Sequence, residues 1–144
     1  MVTRLVYGGQ DLIYPETGKN GKKRKCGILT GLPYLERPLT GRFSEMSQYG
    51  WLQDEVLDFS RESENVGSFF GQNKPTKLYP WQLEYKITVS INPDTCSFVL
   101  DLDVIRVDDG VDLPAPINPG FQPYFCGDSF NPLRNIILPR LMMK

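Results

Sequence analysis

The chain has 144 residues, 40% of them hydrophobic and 12% aromatic, enough for one domain with a true core and too few for two ordinary ones. A net charge of −1 argues against bulk electrostatic capture of nucleic acid or of an anionic membrane. Histidine is absent altogether, which excludes Ser-His-Asp and Cys-His chemistry and every His-containing metal site, leaving Asp, Glu, Lys, Tyr, Cys and Arg as chemical actors.

The 13 glycines and 12 prolines call for many turns, and therefore for short strands rather than long helices. No apolar run reaches the length of a membrane span, and the N-terminus lacks the layout of a signal peptide. Cys26, Cys96 and Cys126 are odd in number and widely spaced. That pattern speaks against a disulfide framework or a zinc site and makes a reducing cytoplasm the expected location.

In chain order, residues 4–7 and 11–14 are short β-prone pieces separated by Gly8-Gly9. The cationic run from Lys19 to Lys25 reads as a solvated loop; a phosphate or nucleic-acid contact is the alternative, which no interleaved aromatics support. Residues 26–43 are apolar, broken by Gly and Pro, and without helical period, and read as an irregular buried segment. Residues 51–59 could form a helical turn or a loop leading into a strand, of which the loop and strand are preferred.

The second half carries a cleaner pattern. Over residues 82–91, Leu83, Tyr85, Ile87, Val89 and Ile91 fall on one face and Gln82, Glu84, Lys86, Thr88 and Ser90 on the other, as in a half-buried strand. Asn92-Pro-Asp-Thr95 is turn chemistry. Residues 96–107 alternate again, so the two runs predict a hairpin. Asp108-Asp-Gly110 is a further turn; with Asp112 it offers three carboxylates, but not at the spacing of an EF-hand loop, and no metal site is expected. The Pro-rich, aromatic stretch from Pro114 to Phe125 suits only an edge strand or a loop. Leu133 to Met143 is apolar and strand-like. The physics thus predicts a single all-β domain over residues 1–144, an antiparallel β-sandwich.

Four stretches, in order, resemble the aldose 1-epimerase (galactose mutarotase) family, and within it the glucose-6-phosphate 1-epimerase-like branch. Gly27-Ile-Leu-Thr-Gly-Leu-Pro-Tyr-Leu-Glu-Arg37 with Gly41-Arg-Phe43 is similar to the family's Gly-Ile-Pro-x-x-Phe-Pro-x-x-x-Arg followed by Gly-Arg-Phe. Gln48-Tyr-Gly-Trp-Leu-Gln-Asp54 resembles Gln-His-Gly-Phe-x-Arg-Asp. Leu78-Tyr-Pro-Trp-Gln-Leu83 resembles a Tyr-Pro-Phe strand opening, and Pro116-Ile-Asn-Pro-Gly-Phe-Gln-Pro-Tyr-Phe125 resembles Pro-x-x-x-Gly-Phe-His-Pro-Tyr-Phe. The resemblance spans about residues 8–126, corresponding to the N-terminal half of family members.

The resemblance implies about half of a β-supersandwich with a sugar site, and a chemistry that opens and recloses a pyranose ring with a general acid and a general base. It places Gln122 where the family has its catalytic acid and Tyr49 where it has its second histidine; Gln53 replaces a family arginine. A carboxamide has no proton to transfer near neutral pH, and a phenol holds its own until pH about 10. The family's catalytic glutamate maps beyond residue 144. No catalytic residue is therefore intact, and the expectation is a carbohydrate-binding pseudoenzyme without epimerase activity or cofactor. Its sugar-binding candidates are Arg37, Tyr49, Trp51, Gln122 and Tyr124; Arg37 reads equally as a surface or structural arginine, core packing or a strand-end anchor is the preferred reading of Trp51 and Trp81, and Tyr124 reads as a core or cleft-wall residue. The ligand would be a hexose or hexose phosphate. No nucleic-acid or membrane partner is expected, and a homo-oligomer or a complementing polypeptide is. Two other readings remain: an aldose 1-epimerase completed by another chain or by a missing C-terminal half, and a non-enzymatic scaffold or truncated fragment.

Overall fold

A computed structural model describes residues 2–7, 9–13, 27–36, 40–108 and 110–125. The cationic run 19–25, Arg37 and the apolar stretch 133–143 lie outside the described residues. The strands are β1 (Val6–Tyr7), β2 (Gln10–Asp11), β3 (Ile28–Gly31), β4 (Asp58–Arg61), β5 (Val66–Gln72), β6 (Leu83–Asn92), β7 (Ser97–Arg106) and β8 (Gly120–Pro123). A 3₁₀ turn over Arg42–Glu45 is the one helical element among the described residues, and no helix among them is long and apolar enough to cross a membrane. The fold class is therefore all-β with antiparallel pairing, consistent with a sandwich, as the sequence predicts.

The chain divides into two compact units, Thr30–Gly120 and a terminal unit of Met1–Leu29 with Phe121–Lys144. In the terminal unit β1 pairs antiparallel with β2, matching Val6 to Asp11 and Tyr7 to Gln10, and Arg4 Nε donates to Asp11 Oδ1 at 2.8 Å. The Ile28 N–H donates to the Val2 carbonyl at 2.9 Å and the Tyr124 N–H to the Gly27 carbonyl at 2.9 Å. These bonds draw the start of the segment expected to be irregular into a short strand, β3, in the same two-stranded sheet as β8. β8 sits at the end of the Pro-rich stretch, where the sequence allows an edge strand.

The unit Thr30–Gly120 is built on a four-stranded antiparallel sheet in the order β4-β5-β6-β7. Strands β6 and β7 form the predicted hairpin, ten residues paired with ten, from Leu83 opposite Arg106 to Asn92 opposite Ser97. The Asn92 side chain accepts from the N–H groups of Asp94 and Thr95 at 3.0 and 3.2 Å, closing the turn. The predicted alternation holds: Leu83, Tyr85 and Ile87 are 1%, 3% and 7% exposed, whereas Glu84 between them is exposed. Burying Leu83 and Ile87 stabilises the sheet by roughly 1.5–3 kcal/mol each. Burial fades along β6, and Ile91 is 48% exposed. Residues 51–59 are the preferred loop and strand, with Asp58 opening β4.

Candidate functional site

Parts of all four motif stretches lie within Thr30–Gly120 and meet there; Gly27–Leu29 and Phe121–Phe125 belong to the terminal unit. The Leu32 N–H donates to the Tyr49 carbonyl at 3.2 Å, and the Trp51 N–H donates back to the Leu32 carbonyl at 3.0 Å. Gly50 lies between them with φ 72°, and a Cβ there would stand 1.9 Å from the Leu32 oxygen. Only glycine satisfies both the left-handed turn and this approach. Tyr34 bridges in parallel to Asn118: the Asn118 N–H donates to the Pro33 carbonyl at 2.7 Å and the Leu35 N–H to the Asn118 carbonyl at 2.8 Å.

Rings join the remaining pieces. Tyr79 meets Trp51 and Trp81 edge-on, each at 5.0 Å between centroids, and Phe43 lies 5.8 Å from Tyr34, 6.2 Å from Tyr79 and 6.3 Å from Trp81. Such pairs add roughly 0.5–1.5 kcal/mol each beyond their burial. The Arg42 guanidinium stands over Phe43 and Trp81, 5.0 and 5.6 Å from the ring centroids, and Nη2 donates to the Leu78 carbonyl at 2.7 Å. Arg42 is thereby committed to binding the 3₁₀ turn to the approach of β6.

The polar tips of two rings just before β6 fix the loop after β7. Trp81 Nε1 donates to the Leu113 carbonyl at 2.9 Å and the Tyr79 hydroxyl to the Pro116 carbonyl at 3.3 Å. Arg106 grips the same loop, donating to Leu113 O at 2.8 Å and to Val111 O, while a forked pair of bonds joins it to Asp108 at 2.8 and 3.1 Å. Asp108 also accepts from the Gln82 N–H at 2.8 Å. The Arg106 bond, reinforced by this N–H, holds the Asp108 carboxyl below its ordinary range. Asp108 is thus a structural ligand of Arg106 and Gln82.

Burial pushes the Tyr34 hydroxyl above the ordinary phenol range, opposed by the Arg42 charge. Tyr79 is pushed up further, again by burial first. Tyr85 is pushed up to about 12 by burial and by the Glu55 charge, with the Trp51 indole N–H acting in the opposite sense. The Tyr85 hydroxyl and the Trp51 indole nitrogen are both buried, yet neither reaches hydrogen-bond geometry with a partner among the described residues. These phenols remain neutral through the physiological range and are poor proton donors to a substrate.

The candidates named from the sequence divide between the two units. Tyr49 and Trp51 belong to Thr30–Gly120, Gln122 and Tyr124 to the terminal unit, and Arg37 lies outside the described residues. Trp51 and Tyr49 are half-buried, as are Gln122 in β8 and Tyr124 just after it. Trp81 is 4% exposed, so it is core. Among the described residues no three Cys, Asp or Glu side chains converge as a metal site. Comparison with protein-family models, curated proteins and solved structures returns no match.

Proposed function

We propose that the chain is a carbohydrate-binding domain of mutarotase-like descent that does not catalyse epimerisation. The observation that carries this reading is the convergence of the motif stretches. Gly31–Glu36, Gly41–Phe43, Gln48–Asp54, Leu78–Leu83 and Pro116–Asn118 are separate stretches of the chain, yet they interlock through Leu32–Tyr49, Tyr34–Asn118, Phe43–Trp81, Trp51–Tyr79 and Tyr79–Pro116. Segments kept for one architecture are expected to meet in space; Leu32, Phe43, Trp51, Tyr79 and Trp81, at defined positions of the motifs, take part in these contacts, while Tyr34 and Asn118 fall on positions that the motifs leave open.

The absence of turnover follows from side-chain chemistry. Gln122 stands at the position of the family acid and has no transferable proton near neutrality, and Tyr49 replaces an imidazole with a phenol. Hydrogen bonding to hydroxyls remains open to both, which favours binding without ring opening. A scaffold role has its own support in the apolar side chains left at the surface, among them Phe59 at 60%, Ile105 at 62% and Leu113 at 64% exposure.

Polarimetry of freshly dissolved α-glucose and α-galactose tests the catalytic half of the proposal; the expected rate is that of buffer alone, and acceleration proportional to protein concentration overturns it. Saturation-transfer NMR with the same sugars tests the binding half, and its failure with glucose, galactose and their phosphates favours the scaffold role.

A further inference from the structure

The rings of the motif cluster are largely spent on packing against one another. The polar face of the four-stranded sheet offers a different surface. Its register sets Asp58, Phe70, Lys86 and Asp103 abreast, one from each strand, and the next row carries Gln72, Glu84 and Ile105. Four strands span about 14 Å at ~4.8 Å per gap. These seven side chains line a groove of about 330 Å³, at the lower end of the roughly 300–1,000 Å³ of small-ligand sites.

The groove combines an apolar plate with a polar rim. Phe70 is 38% exposed and Ile105 62%. Lys86 Nζ stands 5.6 Å from the Phe70 centroid and is held there by Glu62 Oε1 at 3.0 Å. Glu62 is fixed in turn by the fully buried Ser68 hydroxyl, which donates to it at 2.5 Å. Gln72 Nε2 donates to Glu84 Oε1 at 3.4 Å. A pyranose matches this arrangement. Its C–H face packs on an aromatic ring, and its hydroxyls donate to the Asp58, Glu84 and Asp103 carboxylates in charge-assisted bonds while accepting from Lys86 or the Gln72 amide.

Charge narrows the ligand. Three carboxylates against one lysine repel an anion, so a phosphorylated sugar is disfavoured. Resting on the carbohydrate-binding reading, we infer that the groove over Phe70 is the sugar contact of this domain and that it takes a neutral hexopyranose in preference to a hexose phosphate.

The test is an NMR shift titration of the full chain with glucose, galactose and glucose 6-phosphate. The expected result is shifts centred on β5 to β7, weaker binding of the phosphate, and at least ~10-fold weaker hexose binding by Phe70→Ala and Asp103→Asn. Phe70→Leu keeps an apolar side chain and removes the ring, so it separates stacking from folding; it too should lose affinity with a native spectrum, while Glu64→Ala should bind as the parent does. Hexose binding that is unchanged in Phe70→Ala and Phe70→Leu, or lost instead in Trp51→Phe, overturns the groove and leaves the carbohydrate reading standing. No binding of any sugar by the parent chain overturns both.

Discussion

The Asn73 carboxamide does for Leu83 and Trp81 what a strand neighbour would do. Its Oδ1 accepts from the Leu83 N–H at 2.7 Å, its Nδ2 donates to the Trp81 carbonyl at 3.0 Å, and its own N–H donates to the Leu83 carbonyl at 3.2 Å. The side chain takes over the hydrogen bonding just where β5 ends, and it is 3% exposed. Asn73→Ala strands one buried N–H and one buried carbonyl, at about 1–3 kcal/mol each. The expected loss is roughly 2–4 kcal/mol in urea unfolding. Asn73→Asp keeps the acceptor and can donate to Trp81 only when protonated. Its folded-state pKa is therefore raised, so its stability should improve on acidification, opposite to the parent; a parallel pH dependence in the two proteins refutes the bond.

Tyr85 yields a prediction of the other sign. Its hydroxyl is buried without a hydrogen-bond partner among the described residues, a costly arrangement that Tyr85→Phe removes without changing the ring. The variant should be as stable as the parent or more so, by up to about 1 kcal/mol. In the parent, raising the folded-state pKa from 10.0 to about 12 means the neutral phenol contributes fully below pH 10. That contribution is lost as pH climbs from 10 through about 12. Phenolate absorbance should thus show a delayed tyrosine whose ionisation accompanies unfolding. A marked loss of stability in Tyr85→Phe would show that the Trp51 indole does bond to this hydroxyl.

The acid limb depends on Asp108 and Glu62. Both carboxyls are held below their ordinary values, Asp108 chiefly by the bond from Arg106 and Glu62 by those from Ser68 and then Lys86. A depressed folded-state pKa gives stability that is present above the ordinary carboxylate value and disappears as pH falls through the folded one. Stability should decline below about pH 4. Asp108→Asn should lower stability at neutral pH and flatten this decline, which urea midpoints across the acid range will reveal; an equally steep decline in Asp108→Asn assigns the acid limb elsewhere.

How much of this was legible depended on whether a strand's own side chains declare its buried face. In β6 they do, since Leu83, Tyr85 and Ile87 alternate with charges. In β5 they do not. A Cβ on Gly67 would stand 2.9 Å from the Phe59 ring, and one on Gly71 would stand 2.4 Å from the Tyr85 ring. The strand's apolar cover is supplied by its neighbours' rings lying over glycine, so its sequence shows no alternation. Phe70 escaped notice for the same reason. Residue type cannot tell that Trp81 is buried and Phe70 exposed: Phe70 lies on the polar face of β5, whereas Trp81, just before β6, is enclosed by Phe43 and Tyr79.

Gly50 joins fold and candidate site most directly, because it separates Tyr49 from Trp51. Its φ of 72° is a region that side chains adopt at a cost of roughly 1–2 kcal/mol. The added methyl would also meet the Leu32 carbonyl oxygen at 1.9 Å and its carbon at 2.4 Å, backbone atoms that cannot swing away. Relief requires breaking the bonds that Leu32 makes with Tyr49 and Trp51, about 0.5–1.5 kcal/mol apiece. Gly50→Ala should therefore destabilise the chain by roughly 2–4 kcal/mol and loosen the Trp51–Tyr79 contact, seen as a red-shifted, more quenchable tryptophan emission. Gly41 is the control: it too has a positive φ, of 80°, but no atom stands within 4 Å of its Cβ position. Gly41→Ala should show only the conformational cost, with the emission unchanged. Equal losses in the two variants would mean that close approach at Leu32 contributes nothing beyond the turn itself.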